Sequence, residues 1–277
     1  MDCRQFPGLE ANLLDRGHPC FSLHRHGQTG RIHLPVAPEC NISCNYCVRK
    51  FDCANESRPG VTSQVIGPEE AVDRVRHALQ SSLGSKLKVA GIAGPGEPLA
   101  NKNTFETMAS LKSNFPGLIL CLSTNGLLLP ENLPTLIELG ISHITVTINT
   151  LDPDIAARIY SYVHWKGQVL IGRPAASLLV ERQLTGIEMA SRAGLTVKVN
   201  TVVMPGLNDH NLTDLSLAVQ RLGTHIQNLM PLIPQGKFAD RPTPARGEIG
   251  TYRERLSRIL PQMSHCQQCR ADAVGLV

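Results

Sequence analysis

Residues 31–50 read RIHLPVAPECNISCNYCVRK, a short β-like run that feeds straight into three cysteines spaced Cys-x-x-x-Cys-x-x-Cys. Cys40, Cys44 and Cys47 crowd one loop at a spacing that suits no disulfide, and Cys53 follows after a short basic stretch. The chain holds 9 cysteines, an odd number, and a further pair, Cys266 and Cys269, stands near its end. Its opening residues, MDCRQFPGLEANLLDRG, have no apolar core of secretory-signal length. Nor does any stretch approach the ~20 apolar residues of a spanning helix. The expected compartment is therefore the cytoplasm, where clustered thiols point to metal or redox chemistry rather than to disulfides. Structural zinc usually takes four protein ligands, often as two Cys-x-x-Cys pairs. A compact triplet instead suits three corners of a [4Fe–4S] cube, with the fourth iron open to another molecule.

Outward from that loop, strand and helix alternate to about residue 260. GPEEAVDRVRHAL (67–79) puts Pro68 at a first helical position, acids in the first turn, and Val72, Val75 and Leu79 on one face. KLKVAGIAGPGEP (86–98) and LILCLSTNG (118–126) each read as a strand breaking into a turn. HITVTINT (143–150) follows a helix of Leu133, Leu136 and Ile137. A helix through Val180, Leu184 and Ile187 ends at Gly194, and LTVKVNTVVMPG (195–206) alternates as a strand. A helix from Leu212 to Leu222 and the apolar run NLMPLIP (228–234) complete the order. About six such units predict a parallel sheet covered by helices. An eight-unit barrel takes ~250 residues, so six units with extensions predict an α/β fold, a partial (β/α)6 barrel. One domain over 1–277 is expected, with an N-terminal extension (1–30), a barrel (31–233) and a C-terminal extension (234–277). The catalytic face should be the one at the strands' C-terminal ends. A formal charge of +4, with cations scattered among acids, favours neither nucleic acid nor a membrane surface as partner.

The triplet after the first strand, the GPGEP turn (94–98), the STNG turn (123–126) and Asn149 together resemble the radical S-adenosylmethionine (SAM) superfamily. The resemblance implies that Cys40, Cys44 and Cys47 hold a [4Fe–4S] cluster whose open iron chelates SAM. It also implies that Gly94, Gly96, Glu97, Ser123, Asn125 and Asn149 contact SAM, with Glu97 accepting from the methionine ammonium. HPCFS (18–22), the run from Arg31 to Ser63 and the terminal CQQCRADAVGLV (266–277) narrow the likeness. They resemble the branch of maturases that make the carbide-centred precursor of the nitrogenase cofactor. That branch methylates and fuses two substrate [4Fe–4S] clusters into an [8Fe–9S–C] unit. The chain stops at Val277 without the NifX-like domain that some members append, so a stand-alone core form is expected. Implied partners are a cluster-delivery scaffold protein, carrier or acceptor proteins of nitrogenase assembly, and a ferredoxin or flavodoxin donor. The alternative is another radical SAM enzyme with auxiliary clusters, acting on a peptide or small molecule.

The resemblance also distributes the remaining thiols. Cys20 with Cys266 and Cys269 would hold one substrate cluster, and Cys53 with Cys121 and a histidine the other. His26 fits the pattern best, with His24 and His33 as alternatives. The plainer readings are a zinc clip of Cys266, Cys269 and Cys20 with His18 or His265, a core thiol for Cys121, and an unpartnered terminal Cys3. Glu56 and Arg58 in NESRPG are the candidate catalytic pair, a base for removing protons from a cluster-bound methyl and a cation for an anionic group; a plain salt bridge is the other reading. Arg49 and Lys50 would neutralise cluster charge.

Overall fold

The computed structural model describes residues 17–22, 27–50, 52–55 and 64–277. The described elements run β1 (Gly30–His33), β2 (Ile42–Cys44), α1 (Pro68–Gln80), β3 (Leu87–Ile92), α2 (Lys102–Asn114) and β4 (Ile119–Thr124). Next come α3 (Leu129–Glu138), β5 (Ile141–Thr147), α4 (Pro153–Ile159), β6 (Tyr160–Trp165), β7 (Gln168–Leu170) and α5 (Gly172–Arg192). The chain finishes with β8 (Thr196–Val203), α6 (Leu212–Arg221), β9 (Ile226–Pro231), α7 (Glu248–Leu256) and β10 (Val274–Leu276). Strands β1, β3, β4, β5, β8 and β9 pair in parallel in that order, giving the curled open sheet of a partial barrel.

Local chemistry accounts for most of these boundaries. Pro68, which has no N–H to lose, opens α1, with Glu69 and Glu70 at the positive end of its dipole and Ala71, Val72 and Val75 buried. Gly194 takes φ +83° just past α5 and stops it. In α3, Leu133 and Leu136 are buried but Ile137 is 45% exposed, so the predicted stripe is narrower by one residue. All eight residues of β8 are buried, because helices cover one face of the sheet and the curl encloses the other. Strand β1 is shorter than the run RIHLPVAP, since Pro35 and Pro38 cannot donate to a ladder.

Two features lie beyond the sequence reading. Strand β10 pairs antiparallel with β1, Arg31 opposite Gly275, and closes that sheet edge with the end of the chain. A second sheet, β2–β6–β7, joins the cysteine loop to a hairpin turned at Lys166 and Gly167, both at positive φ. Its ladder sets Cys44 opposite Tyr160 and fixes the middle of the loop.

After β8, the turn through Gly206 (φ +69°) is locked by Asn208, which is fully buried. Its Oδ1 accepts from Met204 N at 2.8 Å, and Nδ2 donates to the carbonyls of Asn149 and Val202, both at 2.8 Å. Asn208→Ala leaves those buried backbone groups without partners, at about 1–3 kcal/mol each. Denaturant unfolding of this variant should show a loss of about 3 kcal/mol; a loss below about 0.5 kcal/mol would mean the turn closes without the side chain.

Candidate active site: two cavities on the concave face

The strands' C-terminal ends and the cysteine loop enclose a first cavity of about 470 Å³. Cys40, Cys44, Cys47 and Cys53 line it together with Gly96, Glu97, Ser123 and Asn125. Burial pushes the Cys40 thiol up to about 11, aided by the Glu97 carboxylate. Burial and the neighbouring thiols push Cys44 and Cys53 well above the usual range. As neutral thiols they gain little from this crowding; as thiolates they require a cation, and Arg49 is the basic side chain at the wall. Such a donor set fits an iron–sulfur cluster, whose irons supply that positive charge. Among the described residues, no three His, Cys, Asp or Glu side chains converge on a point that would hold a single metal ion.

Glu97 ties the two turns together. Its Oε1 accepts from Leu99 N and from Thr124 Oγ1, and its Oε2 accepts from Asn125 N at 2.7 Å. Asn125 in turn donates to Asn41 Oδ1 at 2.7 Å and accepts from Leu127 N at 3.0 Å. The GPGEP and STNG turns therefore form one hydrogen-bonded wall, pre-set before any ligand enters. Two of the expected SAM contacts, Gly94 and Asn149, do not line this cavity. Gly94 (φ +140°) shapes the turn behind it. Asn149 is buried, donating to the Tyr46 and Tyr160 hydroxyls at 2.7 and 3.0 Å and accepting from Val202 N at 2.8 Å. Tyr46 passes the link to Asn55 Oδ1, and Asn55 Nδ2 lies 3.9 Å from Cys44 Sγ. Asn149 thus reaches the cysteine loop through Tyr46 and Asn55, neither of which the sequence singled out.

A second cavity of about 540 Å³ lies beside it on the concave face, with Ser123 in the wall of both. Period-two alternation aims Arg31 and His33 of β1, Cys121 and Ser123 of β4, and Lys198 and Asn200 of β8 into it. Cys20, Cys266 and Cys269 complete the wall. The structure groups the thiols differently from the expected sharing: Cys121 faces Cys20, Cys266 and Cys269, while Cys53 stands with the triplet. The reason is position within a strand. Cys121 is the third residue of β4, not its last, and Gly91 of β3 leaves room for its sulfur: a Cβ there would lie 2.5 Å from Cys121 Sγ.

Both chain extensions reach this cavity. His265 Nε2 donates to Pro19 O at 2.9 Å, Ala271 N donates to Asp52 Oδ2 at 3.0 Å, and His33 Nδ1 donates to Arg270 O at 3.0 Å. That last bond fixes the tautomer: a carbonyl only accepts, so Nδ1 carries the proton and Nε2 keeps its lone pair, the form that binds metal. Burial, then Arg31, lowers the His33 pKa to about 3, so the ring is neutral at working pH. Burial opposes the charge of Arg31, but the Cys20 and Cys269 sulfurs beside it, as thiolates, more than offset that and hold its pKa above the ordinary value. His24, His26, Cys3, Glu56, Ser57 and Arg58 lie outside the described residues.

A partial barrel with a three-cysteine loop across its mouth and a glycine-rich turn at the next strand end defines a class. The chain belongs to the radical SAM superfamily, whose family model matches residues 34–217. Over 94% of its length it is 47% identical to the FeMo cofactor biosynthesis protein NifB of Klebsiella pneumoniae, and over 95% it is 43% identical to NifB of Chlorobaculum tepidum. The chain spans 57% and 62% of those two relatives. Among solved structures it is similar in fold to Streptococcus suis SuiB, with a TM-score of 0.57 at 12% identity, covering 83% of this chain and 48% of that one. Membership implies a [4Fe–4S] cluster and SAM. Among the described residues no helix is long and apolar enough to cross a membrane.

Proposed function

We propose that this chain is a radical SAM maturase that inserts carbide into a nitrogenase-cofactor precursor, methylating and fusing two [4Fe–4S] substrate clusters into an [8Fe–9S–C] product. The observation that carries this reading is the second cavity: four thiols and a metal-competent imidazole on the concave face beside the SAM-cluster loop. Many radical SAM enzymes act on organic molecules, which need no thiol-lined chamber.

Cys40, Cys44 and Cys47 would hold the resident cluster, which when bound supplies an electron to the sulfonium of SAM. The wall of Gly96, Glu97, Ser123 and Asn125 would receive SAM between that loop and the second cavity. Ser123 lines both cavities, so a methyl or radical generated in one has a short path to the other. Cys20, Cys121, Cys266 and Cys269 would hold substrate clusters, with Cys53 at the boundary through the Asp52–Ala271 tie. Among the described residues His33 is a histidine suited to iron ligation, lining the cavity with His18 and His265; a neutral imidazole binds iron less tightly than thiolate, which suits cargo that must leave. One SAM would give its methyl to a cluster sulfide and leave as S-adenosylhomocysteine. A second would be cleaved to methionine and a deoxyadenosyl radical, which takes hydrogen from that methyl. Glu56 is proposed as the base for further proton removal and Arg58 as its cationic neighbour. A cluster-delivery scaffold, a cofactor carrier and a ferredoxin or flavodoxin donor are proposed partners.

Anaerobic reconstitution with iron and sulfide, followed by SAM turnover, tests the reading. Both S-adenosylhomocysteine and deoxyadenosine should form, and carbon from labelled SAM methyl should enter an acid-labile cluster. Deoxyadenosine alone would favour an enzyme acting on a peptide or small molecule, and neither product would leave a passive scaffold. In the same assay His33→Ala should lower bound iron and product, whereas loss confined to His26→Ala would return the ligand role to His26.

A further inference from the structure

The lumen of a complete barrel is ordinarily filled by branched apolar side chains. This concave face buries two cations instead. Arg31 on β1 and Lys198 on β8, strands four places apart in the sheet, both line the second cavity. They are only 7% and 6% exposed. Among the described residues neither pairs with a carboxylate and no Asp or Glu side chain lines the cavity. Arg31 Nη1 donates to Cys20 Sγ at 3.0 Å, but its Nε is buried without a partner among the described residues. Lys198 Nζ lies 5.2 Å from the centroid of the Phe21 ring. Such a contact recovers less than removing an ammonium from water costs. Two like charges buried around one space also repel each other. The Cys20 and Cys269 sulfurs offset this cost for Arg31 only as thiolates, and Lys198 has no carboxylate beside it among the described residues, so a fold that keeps both is suited to an anion between them.

We infer that Arg31 and Lys198 are the counter-charges of the second cavity, and that they retain an iron–sulfur cargo by its negative charge. This rests on the reading above that the cavity receives a substrate cluster. Thiolate ligands and core sulfides make such a cargo anionic, and reduction adds one more negative charge. The two cations therefore favour the reduced cargo over the oxidised one. They hold and orient cargo and take no part in bond making.

The test uses the full chain, reconstituted anaerobically with iron and sulfide without SAM, and reads iron per chain and the reduction potentials of its clusters by paramagnetic resonance. Lys198→Met should lose iron from the second cavity, and what remains should reduce at more negative potential. Lys198→Arg, which restores the charge, should return both towards the native values. A persistent first-cavity signal shows that the barrel has folded. Should Lys198→Met not fold, Arg31→Gln on the far side of the sheet carries the same decision. Native iron content and potential in Lys198→Met or Arg31→Gln would overturn the inference, and so would equal loss in Lys198→Arg. A native chain that never binds iron beyond one cluster would instead overturn the reading on which the inference rests.

Discussion

Cys44→Ala should reduce deoxyadenosine formation to the level of a control without protein, and should remove the first-cavity cluster. Cys44 ends β2 and is held by the ladder to β6, so its position in the loop is fixed by the backbone. It is 8% exposed, and its sulfur faces Asn55 Nδ2 across 3.9 Å. Losing one of three thiolates leaves the cluster with two corners held, and a cube so bound is open to solvent and loss of iron. The same substitution should cost the apo chain only about 1 kcal/mol, because one sulfur leaves a small apolar site. That separation between near-total loss of chemistry and modest loss of stability marks a ligand rather than a core thiol. Cys3→Ala is the matched control and should change neither quantity. Native deoxyadenosine yield from Cys44→Ala would remove the triplet from the mechanism.

What could be read in advance was local. The triplet, the glycine turns and the alternation of strand and helix all lie within windows where spacing and backbone chemistry dictate the outcome. Gly194 stops α5 and Pro68 starts α1 because each residue's own backbone requires it. What escaped notice was set by contacts between distant segments. Strand β10 is three residues, Val274–Leu276, with no pattern of its own; only its partner Gly30–Ile32 makes it a strand. The hairpin of β6 and β7 acquires its meaning from the cysteine loop it grips. Nothing in the sequence singles out Arg31 and Lys198, because alternation along a strand does not say which face is enclosed. Cys121 lines a cavity with a different set of thiols from the expected one for a related reason. One residue along β4 exchanges faces, and two residues change depth along the lumen. Asn149 matched a motif position, yet its amide hydrogens are spent on Tyr46, a spacer inside the cysteine triplet, and Tyr160, which belongs to no motif.

Gly96→Ala should unsettle both the fold and SAM binding, and it tests how the turn works rather than what it touches. A Cβ on Gly96 would lie 2.2 Å from Glu39 O, 2.8 Å from Ala37 O and 2.8 Å from Glu39 C, all backbone atoms. No rotamer change relieves such contacts; the segment 37–39 must move. That segment leads directly into Cys40 and is bound to the turn by Gly96 N to Ala37 O at 2.5 Å and Glu97 N to Glu39 O at 2.7 Å. Steric strain of about 1–3 kcal/mol and the weakening of two buried bonds together cost about 3–5 kcal/mol. For a chain of this size the melting temperature should fall by about 10 °C. SAM affinity should fall as well, because Glu97, the next residue, holds Thr124 and Asn125 in the opposite wall. Gly117→Ala, where an added Cβ meets nothing within 4 Å, should leave stability within about 0.5 kcal/mol of native. Calorimetry and equilibrium SAM binding on the two variants separate a general intolerance of alanine from a specific one. If Gly96→Ala melts and binds like the native chain, the close approach of the turn to residues 37–39 does not shape the site, and the glycine serves only to turn the chain.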